Sequence, residues 1–209
     1  MRSTTAVLAL TAAVLTATAA CSSSHTSDTG TATGPVPADP GRAPAQLRWE
    51  SWQGIALPYS SIDGPKSVTG AATGFSHTPQ GAALAGIQNS IRVSLASDGS
   101  WAATAAQALA AGPGKDAYVL ARAQVSTGPV NTTALPTILG YRIDHWSPEH
   151  TTLTVYTRYS DASHAASHQQ VDWLAGDWKL RLPDPDSTTP VVEAISGTPA
   201  DMVAMAANR

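Results

Sequence analysis

Cysteine is nearly absent: Cys21 is the only one in 209 residues. No intramolecular disulfide can form, so the fold has to rest on its apolar core. Charge is scarce as well, at 13% of residues, with 12 basic against 15 acidic side chains and no basic block. A nucleic-acid binder presents clustered Lys and Arg; their lack here excludes nucleic acid as the expected partner. No G-x-S-x-G elbow marks a serine nucleophile. Gly112-Pro113-Gly114-Lys115 lacks the spacing of a phosphate loop and reads as a turn between helices. The expectation is a protein that is not an enzyme and carries no cofactor.

The apolar stretch Thr5–Ala20 follows Arg2 and falls short of the ~20 residues of a membrane span. Its end, Thr18-Ala19-Ala20, sets small residues directly before Cys21. This is the layout of a secretory signal, residues 1–20, with cleavage after Ala20. Cys21 then becomes the first residue of the mature chain. The order is similar to the bacterial lipobox, with Thr18 where Leu is usual. An ordinary secreted protein with a free thiol is the other reading. A diacylglyceryl group on Cys21 carries two acyl chains, enough for stable anchoring. The expected location is therefore the outer face of the cytoplasmic membrane, held by lipid. Residues 21–46, rich in Ser, Thr, Pro, Gly and Ala, have too few large apolar groups to fold and read as a disordered tether.

The expected domain spans 47–183, a normal length for one core. Arg48–Pro58 reads as an edge strand or an extended segment. Thr78-Pro79 starts the first clear helix, with Thr78 as N-cap and Pro79 at N1. Leu84, Ile87, Ile91 and Leu95 then share one face. Ser100 is placed to cap a second helix, and a third runs from Lys115 to Val125. The period changes to two after Gly128-Pro129. Strands are expected at Ile138–Trp146, Thr151–Tyr159, Gln169–Trp173 and Trp178–Leu182, with Asp161–Ser167 as a polar loop. Residues 184–209 read as a loose tail, with weak helical character at 200–207.

Helices followed by an antiparallel meander of about four strands give an α+β fold. A curved sheet wrapped on a helix layer is similar to nuclear transport factor 2-like domains, which occur in the extracytoplasmic assembly proteins of type IV secretion and conjugation machines. Gly74-Phe75-Ser76-His77-Thr78-Pro79-Gln80-Gly81, Gly112-Pro113-Gly114-Lys115-Asp116-Ala117-Tyr118 and Gly176-Asp177-Trp178-Lys179-Leu180 resemble a family of uncharacterised actinobacterial envelope proteins, domain of unknown function 8175. The resemblance implies no activity and no site residues.

Few residues stand out chemically. His164 and His168 have helical metal-ligand spacing, but they fall between strands with no third ligand near, so no metal is expected. Asp144-His145 and Glu149-His150 are neighbours in strands and point to opposite faces. His77, just before a helix, is a pocket-lining or interaction residue, or a structural one that fixes the chain's entry into the helix. Gly81 in the first helical turn favours close backbone packing there. Trp173 and Trp178 flank a tight turn, and their hairpin is the expected sheet edge. A lipid-tethered interaction domain of an envelope or conjugation-type secretion assembly, binding other envelope proteins or itself, is the leading functional expectation. A small-ligand domain or enzyme with a pocket inside the sheet is the alternative, and a cell-wall glycan binder the third.

Overall fold

The computed structural model describes residues 38–205. Cys21, the segment Thr18–Ala20 and most of the expected tether lie outside the described residues. Among the described residues the architecture is α+β, with two antiparallel sheets and three α-helices. Strands β1 (Leu47–Trp52) and β2 (Ile55–Ser60) form a hairpin closed by Gln53-Gly54. Both turn residues have positive φ, 50° and 89°, the geometry that matches hairpin twist. The expected single segment at 48–58 is thus a strand pair.

Helices α1 (Pro79–Ser94), α2 (Trp101–Ala108) and α3 (Pro113–Arg122) follow. Thr78 caps α1 as expected, its Oγ1 accepting from Gly81 N–H at 3.1 Å. Ser100 makes no side-chain cap on α2; its hydroxyl bonds Ser97 instead. Pro113 sits in the first turn of α3, two residues earlier than the expected start. The sequence suggests an amphipathic α1, yet its polar side is buried too. Gln80, Gln88, Asn89 and Arg92 are all at most 2% exposed. Asn89 accepts from Ala72 N–H, and the other three reach the N-terminal layer. Gln80 Nε2 donates to the carbonyls of Asp39 and Arg42, both at 2.8 Å. Gln88 Nε2 donates to Pro58 O, and Arg92 to Gln88 Oε1 and Tyr59 O–H. Helix α1 therefore lies between that layer and the main sheet. Residues 38–46 are part of the layer, not tether: Tyr141 O–H also donates to Arg42 O, and Pro44 is buried.

The main sheet has six strands where about four were expected. Its order is β6 (Asp177–Arg181), β5 (His164–Leu174), β4 (His150–Arg158), β3 (Thr137–Trp146), β8 (Val203–Ala204), with β7 (Val192–Ile195) pairing β5 beyond the end of β6. The central meander β3–β6 matches the expected strands, although β5 begins within the stretch read as a loop. The stretch 184–209 supplies β7 and β8, and Met205 is 1% exposed; the described part of that segment is integral to the fold. Leu153, Val155, Val171 and Leu180 on the sheet meet Leu84 and Ile87 of α1 in the core.

Candidate functional site

The sequence singles out His77, Trp173 and Trp178, and the fold brings all three together. Trp178 follows the β5–β6 turn, whose Ala175 and Gly176 have φ of 52° and 80°. It pairs across the hairpin with Trp173. The His77 ring stacks on Trp173 with centroids 4.0 Å apart and planes 8° from parallel. Trp178 packs at a tilt against both, and against Trp146 at 5.6 Å. His77 Nε2 lies 2.5 Å from Pro148 O in the β3–β4 turn.

Around these rings, two of the family-like segments become one clasp. The Asp177 carboxylate accepts from Gly74 N–H at 2.9 Å, Phe75 N–H at 3.1 Å and its own neighbour Trp178 N–H at 3.0 Å. The Trp178 indole N–H donates to Ser76 O at 3.0 Å. On the other side, Asp63 accepts from the Ser76 and Thr78 hydroxyls. Gly81 is required because a β-carbon there would overlap the Ser76 carbonyl. Most of the clasp's hydrogen bonds join one chain segment to another. Trp178 is fully buried, so it is a core residue and not an interaction residue. The outer edge of β6 is also covered, by Ala110 N–H donating to Leu180 O at 2.9 Å and a bridge from Leu109. At Leu180 the hairpin edge is therefore already engaged by this chain. His77 and Trp173 close the entry to α1.

His164 and His168 stand on strand β5. Four residues of strand separate them by about 13 Å, too far to share an ion. His168 instead bridges strands: Nδ1 lies 3.2 Å from Thr154 Oγ1, and Nε2 3.1 Å from Glu193 Oε1 on β7. Thr154 in turn donates to Asp144 at 2.7 Å. His150 finds its acid across the sheet, not at Glu149. Its Nδ1 is 2.6 Å from Asp172 Oδ1, while Arg181 Nε donates to Oδ2 at 2.5 Å. Such cross-strand partners are set by register and cannot be read from neighbours in sequence.

A groove was missed by residue-by-residue reading. It opens between the C-terminal half of α1 and the sheet face that α1 covers, with about 410 Å³ of space. Ile87, Ile91, Ile138, Val155, Leu180 and Leu182 supply apolar walls. Ser90, Ser94, Thr157 and Gln169 add a few polar groups. Gln169 Nε2 donates to Ser90 Oγ at 3.0 Å, and its buried Oε1 has no partner among the described residues. Tyr118 lines the mouth with its hydroxyl committed to Val93 O; burial raises that hydroxyl above its ordinary pKa, so it stays neutral. Tyr159, Val191 and Val192 are exposed on the rim. This lining is suited to holding an apolar molecule.

A family model described as Domain of unknown function (DUF8175) matches residues 11–199. No curated protein and no solved structure matches the chain.

Proposed function

The chain belongs to the family described as Domain of unknown function (DUF8175), and from that premise we propose that it is a lipid-anchored extracytoplasmic binding protein, non-enzymatic, whose groove holds an apolar ligand. The groove carries this reading. Its volume lies within the range of small-ligand sites, roughly 300–1,000 Å³, and its walls are mostly Ile, Leu and Val. Aliphatic walls retain a hydrocarbon group, and His168 and Arg181 at the lining add polar groups that can meet a headgroup. The anchor in this proposal is supported by Thr18-Ala19-Ala20-Cys21; acyl chains on Cys21 would hold the domain at the outer face of the cytoplasmic membrane.

The test adds fatty acids of increasing chain length to the purified protein and follows thermal unfolding. A ligand at a hundredfold excess over Kd stabilises by about 2.7 kcal/mol. Ser94→Trp, which fills the groove mouth, abolishes the shift while leaving the unliganded protein folded. An equal shift in this variant, or none in the wild type, contradicts the ligand reading. Mass spectrometry of the mature N-terminus tests the anchor: an unmodified Cys21 contradicts it.

A second reading is favoured by the exposed rim. Val192, Val191 and Tyr159 on the rim are 54%, 47% and 36% exposed, and such apolar surface suits a protein partner. In this form the domain is an interaction module of an envelope or conjugation-type secretion assembly, consistent with a nuclear transport factor 2-like arrangement of helix and sheet. Crosslinks from the rim to other envelope proteins, with no ligand shift, select it.

A further inference from the structure

The hairpin β1–β2 leaves one strand edge open, and we infer that this edge pairs with the same edge of a second copy of the chain. The geometry fixes which groups are available. Trp52 and Ile55 close the two-residue turn, so Trp52, Glu50 and Arg48 exchange backbone hydrogen bonds with Ile55, Leu57 and Tyr59. Leu47, Trp49 and Ser51 are the alternate residues, and their N–H and C=O groups point away from β2. Their partners on β2 agree with this parity. Pro58, opposite Trp49, has no N–H, and its carbonyl is taken from the far side by Gln88. Ser60, opposite Leu47, exchanges bonds with Gly64 instead. Among the described residues, the six outward groups of Leu47, Trp49 and Ser51 have no partner.

An antiparallel pairing about a two-fold axis at Trp49 satisfies all six. Trp49 faces Trp49 of the second copy, and Leu47 faces its Ser51 in both directions. In that register each Arg48 stands opposite Glu50 of the other copy, in a closely spaced non-hydrogen-bonded pair. The two neighbouring symmetric registers keep the bonding parity but set Arg48 against Arg48, or Glu50 against Glu50. Like charges directly opposite are destabilising. The two side chains are about half exposed and already form an ion pair within one chain, at 2.9 Å. The charge order of one short strand thus selects a single register and a partner identical to itself. A foreign strand would need the same order of charges to fit as well.

The test uses the full lipidated protein in detergent, followed by sedimentation velocity, with circular dichroism as the control for folding. Wild type is expected to dimerise. Glu50→Arg opposes like charges and weakens the dimer about tenfold or more. Adding Arg48→Glu to Glu50→Arg restores complementarity and brings the dimer back. Ser51→Pro removes an outward N–H, which an edge strand tolerates, and abolishes dimerisation without unfolding the monomer. A monomeric wild type, a Glu50→Arg protein that dimerises as well as wild type, or a double variant that stays monomeric overturns the proposal. So does a membrane crosslink that joins this strand to a different protein and is lost on Ser51→Pro.

Discussion

Replacing Asp177 by Asn changes one atom in the clasp and separates its physical contributions. The carboxylate takes three N–H donors, from Gly74, Phe75 and Trp178, at 2.9 to 3.1 Å. It is 8% exposed, and Lys179 Nζ lies 3.8 Å away. Hydrogen bonds to a charged acceptor contribute about 1.5–3 kcal/mol each. Asn keeps one oxygen, which can serve Phe75 and Trp178. Its amide nitrogen then faces the Gly74 N–H, so one bond is lost and two donors oppose each other in a buried place. The expected loss is about 2–4 kcal/mol, a large part of the 5–15 kcal/mol typical of a domain. Asp177→Ala is expected to cost more, because all three donors lose their acceptor. Urea unfolding gives the free energy, and near-ultraviolet circular dichroism reports the packing of Trp146, Trp173, Trp178 and His77. A loss below about 0.5 kcal/mol for Asp177→Asn, the level of ordinary surface changes, would refute the view that the clasp holds the sheet to the entry of α1.

Three further outcomes are expected. Met205→Ala, at a position 1% exposed, costs at least about 2 kcal/mol; a neutral effect in unfolding experiments would mean the C-terminal strands add nothing. Thr78→Ala removes the α1 cap and a donor to Asp63, costing about 1–2 kcal/mol, and Thr78→Ser recovers most of it. The backbone N–H of Thr127 and the guanidinium of Arg122 hold Asp98 down at about 2. Because the folded value is depressed, its contribution is present above the ordinary carboxylate range and is lost as pH falls through about 2. The stability gap between wild type and Asp98→Asn therefore closes between pH 4 and 2, measured by urea unfolding across that range.

Much of the α+β frame was legible because local signals agreed. Thr78-Pro79 marks a helix start by cap chemistry, and Gly81 foretells backbone contact. The β-branched run after His150 reads as strand wherever it sits. Other parts depend on distant partners. The first half of β5, His164–Ser167, is polar and Ala-rich, and becomes strand because β4 and β7 bond it from both sides. Residues 38–46 dock through carbonyls that Gln80 and Tyr141 reach for, and composition carries no trace of that. The polar face of α1 carries no local mark of the layer that covers it. His77, Trp173 and Trp178 stand out separately in the sequence, and only the fold shows that their rings pack on one another. The groove belongs to no motif; it exists only once α1 and the sheet are set against each other.

The central claim is that this groove retains an apolar ligand. Its most direct test is mass spectrometry of organic extracts from the protein purified out of native membranes, compared with Ser94→Trp prepared in parallel. The account predicts a hydrocarbon-bearing compound in near-stoichiometric amount from wild type and its loss from the variant; the acyl chains proposed for Cys21 would be covalent and would stay with both proteins. Extracts of the two proteins that are indistinguishable would contradict it.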